Sequence, residues 1–450
     1  MSMEDDSLAV RPAAGDQPLR EDSKGHDGVD RIIAATSTGS PRELPVWRDR
    51  YFLRYLNGFG LSLLGDQIWF VALAWAAARL DDPGQTSLVM AAGSVPRAVL
   101  ILFGGTLADR WGALRVTLIS QQLRILLMAI AVAATMLLDP SLWLLAAIAL
   151  AFGAIDAAHM PAAAALPPQL LERNALPAGQ GLVQTLERVA TIAGAPIGGF
   201  IVAAGGLSLA TAVNVVLFCA AVLILRTLRL RTDTSSETDA QRTGEPAPPE
   251  GTWRSLYGGL RYVSMEPVIG PILLVVTMLN LAIAAPLNVG VALLANAHQW
   301  QASGFSAIIA GFGAGAALGA LSVVRYRPKR YPAAIGLLWV IIGSFSIAAL
   351  GVSSRLPIAV VVATILGVTS GPASALLLGL VQARTRTAYL GRVMALITFS
   401  ALGLIPVSYT VFGFLTEATT LTTAFVICAA AELAVAVLAL CLRSVRTARL

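Results

Sequence analysis

Gly104-Gly105-Thr106-Leu107-Ala108-Asp109-Arg110-Trp111-Gly112-Ala113-Leu114-Arg115 decides how the rest of this chain is read. One apolar run, 87–108, ends inside it, and another, 116–137, begins just after it. The residues between them carry charge, glycine and one Trp, the composition of a tight turn between two membrane-spanning helices. Lys and Arg in short loops are retained on the cytoplasmic side of a membrane, whereas Asp and Glu have little influence. The turn is therefore expected to be cytoplasmic, and it orients every helix that follows.

Composition supports a membrane chain. Hydrophobic residues make up 56% and charged residues 13% of the 450 positions, against about 45–50% and 25% in soluble domains. The net charge of +6 does not indicate nucleic acid, because the basic residues are scattered among short turns and form no single polar face. Cys219, Cys428 and Cys441 lie in or beside apolar runs and are read as packing residues. No metal site and no cofactor is expected.

Outward from the turn, windows of about 20 apolar residues give spans at 52–78, 87–108, 116–137, 142–165, 178–204 and 207–228. Six more follow at 267–295, 304–324, 332–351, 356–382, 391–415 and 420–442. The expected fold is all-α and integral to the membrane, with 12 transmembrane helices in two pseudo-symmetric six-helix bundles. Its segments are a disordered cytoplasmic tail over 1–46, bundles at 47–228 and 256–443, a cytoplasmic linker at 229–255 and a second tail at 444–450. The charge bias agrees: Arg173, Arg229, Arg231, Arg325 to Arg330, Arg384, Arg386, Arg392 and Arg443 to Arg449 fall in loops counted as inside. Outside there are Arg79, offset by Asp81 and Asp82, and Arg355. Both termini are thus expected in the cytoplasm of a cell with this chain in its inner (plasma) membrane.

The turn at 104–115 resembles the signature loop between spans two and three of the major facilitator superfamily, although Ala113 and Leu114 precede the one closing base, Arg115. Leu64-Gly65-Asp66-Gln67, Met160-Pro161-Ala162 through Pro167, and Gly194-Ala195-Pro196-Ile197-Gly198-Gly199 add to the likeness. The last is similar to the span-five glycine–proline signature of the superfamily's antiporters. Together these stretches look like the drug:proton antiporter branch that includes macrolide-efflux proteins and the enterobactin exporter.

The resemblance implies a gate in which Gly105, Asp109, Arg110, Gly112 and Arg115 hold the inner side shut, with Asp109 at the start of span eleven. There a helix dipole favours an anion. It also implies that Gly194, Pro196, Gly198 and Gly199 bend and thin span five. The plainer alternatives are a solvated turn and ordinary small-residue packing. In this fold, spans one, four, seven and ten line a central cavity. That places Asp66, Trp69, Phe70, Asp156, Asn280, Asn288, Ser370 and Ser374 near the substrate.

Charge inside the spans is the sharper signal, since each such residue costs about 2.5–3.5 kcal/mol at a helix centre and usually faces a cavity or a partner. The first half holds Asp66, Arg97, Arg124, Asp156, His159, Glu187 and Arg188. Asp66 is twelve residues beyond Arg54, and Arg97 twelve before Asp109, so both sit about 18 Å from the cytoplasmic ends and could pair. Asp156 and His159 share a helical face. A carboxylate that exchanges an arginine partner for a proton would couple transport to a proton gradient. The proton-coupling candidates are Asp66, Glu187 and Asp156, with Arg97 and Arg188 as partners. Permanent ion pairs are the alternative. Glu432 in span twelve has no evident partner.

The expected function is proton-coupled export of a hydrophobic or amphipathic small molecule, such as an antibiotic, a siderophore or a related metabolite. The alternatives are a proton-coupled importer of a small organic solute and a non-transporting membrane receptor. The expected partners are the lipid bilayer, the small-molecule substrate and protons, with no nucleic acid, and the chain is read as a monomer. An enzyme is not expected, since no histidine, cysteine or nucleophile cluster is gathered at one depth.

Overall fold

The structure is a computed structural model that describes residues 48–80, 82–172, 175–228, 260–326 and 331–446. The tail 1–46, the linker 229–255 and residues 447–450 lie outside the described residues. So do Trp47, Asp81, Arg173, Arg327, Lys329 and Arg330. The described chain is helical, with no strand among the described residues.

Ten helices among the described residues are long and apolar enough to cross a membrane. Span one is Arg50–Ala78, span three Ala113–Leu137 and span four Leu142–Ala164. Span two corresponds to the 29-residue helix Pro83–Trp111. Spans five and six form one 50-residue run, Leu176–Leu225, broken by non-helical dihedrals at Gly205 and Gly206. Span seven is Ile269–Ala297, span eight Gln301–Tyr326 and span nine Pro332–Gly351. Span ten is Leu356–Arg384, span eleven Tyr389–Ala418 and span twelve Leu421–Cys441.

Short polar residues start these helices. Asp49 accepts from the amides of Tyr51 and Phe52 at 2.9 and 3.0 Å, and Asp82 accepts from Gly84 at 3.0 Å with Pro83 in the first turn. Each satisfies donors that the first helical turn leaves open. Gly112 ends span two and begins span three at φ +85°, a conformation that favours glycine.

In a bilayer, helices associate chiefly by close contact and hydrogen bonding, so small residues mark the interfaces. Spans two and four meet where Gly153 abuts the carbonyl of Gly93. The matching pair in the second half, spans eight and ten, interlocks through Gly315 and Gly319 on one helix and Gly367 and Gly371 on the other.

The apolar cores differ between the two ends of the molecule. At the end carrying Ala78 and Asp82, one continuous core joins both halves, from Ile68–Ala78 and Leu145–Phe152 to Val289–Ala295, Phe305, Phe412 and Phe425. At the other end the cores among the described residues are separate, including a small one of Ala108, Val116 and Ala162 in the first half. One, around Phe52, Tyr55, Leu170 and Leu225, belongs to the first half, and one, around Ile272, Leu337, Leu380 and Val445, belongs to the second. Cross-half contacts follow the same division. Asn296 Nδ2 donates to the Ala78 carbonyl at 2.8 Å, Gly199 of span five meets Ser306 and Ala302 of span eight, and Gly413 of span eleven meets Ser87 of span two. Among the described residues, the halves share one core at the Ala78 end and keep separate cores at the other.

Candidate transport site

Within the first half, four charged side chains from four different spans converge. Arg124 of span three is fully buried, its Nη1 lying 3.2 Å from Asp66 Oδ1 of span one while its Nη2 donates to Asp156 Oδ1 of span four. Arg97 of span two reaches the other Asp156 oxygen at 2.5 Å. Two carboxylates and two guanidiniums sum to zero formal charge, which lets the group persist away from water. Aromatic faces complete the enclosure: Arg124 sits 5.2 Å over Phe152 and 5.6 Å over Phe218, and Arg97 sits 5.1 Å over Phe70.

Neutral groups extend the cluster. Gln121 Oε1 accepts from Arg124 at 3.4 Å, and the Gln121 amide donates to Ser62 of span one. His159 Nδ1 lies 2.9 Å from Ser120 Oγ, and the residue is buried. The expected Asp66–Arg97 pair does not form. Arg97 turns to span four, which the Gly93–Gly153 contact brings alongside it, and Asp66 pairs with Arg124 instead.

The two aspartates are held unequally. Asp156 is bracketed by both arginines, and its side chain is 4% exposed. Asp66 has Arg124 alone, in ion-pair range but without hydrogen-bond geometry at Oδ1, and its side chain is 16% exposed. It lines a cavity of about 370 Å³ with Tyr55, Phe70, Arg97, Asp156, His159 and Glu187, near the divided end.

A second cavity of about 440 Å³ lies against the second half, lined by Arg188, Asn280, Phe312, Ser370, Ser374 and Leu378 among others. A small void of about 40 Å³ connects the two regions by shared walls: Phe70 and Arg97 belong also to the first cavity, and Ile405 to the second. Trp69 is buried at that junction with its ring 5.4 Å from Phe152. Asn280, Ser370 and Ser374 thus share one cavity, but Asn288 is not in its wall. A π-helical turn at Pro286–Gly290 shifts the register after Asn280, and the Asn288 amide donates to Ala284 O at 2.8 Å.

In span five, Gly194 packs on Gln67 and Gly198 on Ile68 and Val71 of span one, while neighbouring Gly199 faces span eight. Dihedrals remain helical through Pro196, and the break in this run comes later, at Gly205 and Gly206. In the turn between spans two and three, Arg110, Gly112 and Arg115 are exposed. Gly105 and Asp109 fall within Pro83–Trp111, but their surroundings lie outside the described residues, so the gate contact is without a structural description. Glu432 does have a partner: Ser344 Oγ of span nine lies 3.2 Å from its Oε2.

Sequence reasoning missed Gln121, Ser62, Phe152 and Phe218 as companions of Arg124. Only Gln121 carried a signal, lying three residues before Arg124 on one helical face.

The chain matches the Major Facilitator Superfamily family model over residues 55–408. It is 26% identical over 386 residues to the multidrug efflux pump Tap of Mycobacterium tuberculosis, covering 80% of this chain and 85% of that protein. It is 27% identical over 359 residues to the enterobactin exporter EntS of Shigella boydii, covering 79% and 81%. Among solved structures, the nucleoside transporter NupG superposes with a TM-score of 0.65 at 15% identity, covering 86% of this chain and 98% of that one. A peptide transporter POT in complex with sulfate gives 0.66 at 13%, covering 93% and 99%. With four charges from four spans gathered beside a cavity, and the family match spanning most of its length, this chain belongs to the Major Facilitator Superfamily and is a membrane transporter, not an enzyme.

Proposed function

We propose that this chain is a proton-driven exporter of a hydrophobic or amphipathic small molecule, working as a monomer in the inner membrane with both termini cytoplasmic. The divided end then faces the cytoplasm, and the cavities beside Asp66 and Arg188 receive substrate from that side. The observation that carries the reading is the unequal hold on the two aspartates: Asp66 lines the cavity with one arginine partner, while Asp156 is enclosed with two. Protonation of Asp66 removes its attraction for Arg124 and weakens the tie between spans one and three. Asp156 retains Arg97 and keeps the cluster assembled. Glu187, in the same cavity wall, provides a second carboxylate on the proton's route. Proton and substrate thereby enter adjoining cavities whose walls share residues with one void, so that occupancy of one bears on the other, as exchange requires.

Export as the direction is supported by the relatives Tap and EntS, one described as a multidrug efflux pump and the other as an enterobactin exporter. The span-five glycines support alternation, since Gly198 and Gly199 contact span one and span eight on adjacent faces of one helix. Swivelling there breaks the cross-half contacts at the closed end without dismantling the first half. The test is uptake of fluorescent lipophilic solutes into everted vesicles, with and without an imposed proton gradient. Gradient-dependent accumulation in the wild type that is lost in Asp66→Asn is the expected result. Accumulation indifferent to the gradient contradicts proton drive.

A further inference from the structure

We infer that Arg188 binds the anionic group of the transported molecule, and that the substrate class is an amphipathic organic anion. This rests on the transporter reading above and names the chemistry of its second cavity. Glu187 and Arg188 are consecutive on one helix and so project about 100° apart. Glu187 lines the cavity that holds Asp66, whereas Arg188 lines the one against the second half. Every other residue in that second wall is uncharged.

Charge pairing in the rest of the site leaves Arg188 outside any close ion pair among the described residues. The three ion pairs among the described residues use Arg97 and Arg124 against Asp66 and Asp156, and none includes Arg188 or Glu187. A cation within a span calls for a counter-charge. Exposed Arg188 interacts electrostatically with Glu187 across the helix, but no carboxylate lines the Arg188 cavity itself, so an anion brought by the substrate is placed to pair with the guanidinium there.

The remaining wall fits such a ligand. A guanidinium presents a planar fork of donors that matches a carboxylate bidentately. Asn280 and Ser374 make no side-chain hydrogen bond to the protein among the described residues, so both can donate to the same anion. Phe312 and Leu378 supply the apolar surface for the body of the molecule.

The experiment uses purified full-length protein in detergent and two fluorescent probes with one apolar body, dansyl-phenylalanine and its primary amide. Equilibrium binding to the wild type is expected to favour the carboxylate by about tenfold or more, the size of one charge-assisted contact. Arg188→Gln erases that preference while leaving the amide within about twofold, and Arg188→Lys retains part of it. Equal binding of the two probes, binding of neither, or an equal loss of both in Arg188→Gln overturns the inference. Binding requires neither gradient nor direction. A failed export assay with intact carboxylate preference therefore sinks the exporter reading alone, and the reverse pattern sinks the anion site alone.

Discussion

Asp156 receives Arg97 at 2.5 Å and a closer donor from Arg124, while Asp66 has Arg124 at 3.2 Å and a cavity beside it. Removing one partner from a buried pair typically costs about 3–5 kcal/mol, because it strands the other charge. Asp156→Asn leaves Arg97 without a carboxylate and Arg124 with only the looser one. It is therefore expected to lower the unfolding midpoint in detergent strongly and to reduce yield. Asp66→Asn leaves both arginines on Asp156 and is expected to fold nearly as well as the wild type. Equal losses in the two variants would contradict the division of roles. The charges themselves were legible in the sequence, since each stands out in an apolar run. Their pairing was not. Depth along two helices suggested Asp66 with Arg97, but which helices touch is set by packing, and the Gly93–Gly153 contact turns Arg97 toward span four. Ser344, the partner of Glu432, lies 88 residues away in sequence and was equally out of reach.

Among the helices, span five is the element with two neighbours to satisfy. A methyl at Gly198 would come within 3.1 Å of the Ile68 backbone inside the first half, whereas one at Gly199 would press on Ser306 and lie 2.9 Å from the Ala302 carbonyl of the second half. Gly199→Ala is therefore expected to fold but to loosen the closed end. The check is labelling of a cysteine introduced at Asn296 by a membrane-impermeant maleimide, which should rise against the same cysteine in the Gly199 background. Unchanged labelling would remove span five from that closure. Gly153→Ala forces a side chain into the Gly93 carbonyl and should destabilise by about 1–3 kcal/mol, the usual size of overpacking, read as a lower melting midpoint in detergent. The Gly205–Gly206 break between spans five and six was legible from composition. The π-helical turns at Pro286–Gly290 and Phe399–Gly403 were not. The family resemblance placed Asn288 with Asn280 near the substrate, but Asn288 lies within the π-helical turn and outside that cavity wall.

For the whole molecule, one shared core at one end and separate cores at the other, among the described residues, are the arrangement that one end state of the proposed alternating cycle calls for. The fold was legible because hydropathy, the basic turn at 104–115 and the charge bias all count the same helices. Which end keeps separate cores was not, because that depends on how the two halves pack and not on the hydropathy of any one helix. Tying the closed end should stop the cycle: cysteines at Ala78 and Asn296, with Cys219, Cys428 and Cys441 replaced, are expected to abolish transport when oxidised and restore it on reduction. Transport that survives the cross-link would contradict opening at that end. The driving force is adequate. One charge crossing 100 mV is worth about 2.3 kcal/mol, roughly a 50-fold solute gradient per proton. The most direct measurement records lumenal pH and dye movement together in proteoliposomes carrying wild type or Asp66→Asn. Opposed proton and dye fluxes in the wild type, with neither coupled in the variant, are predicted. Dye flux without proton flux, or unchanged coupling in Asp66→Asn, would contradict proton exchange at Asp66.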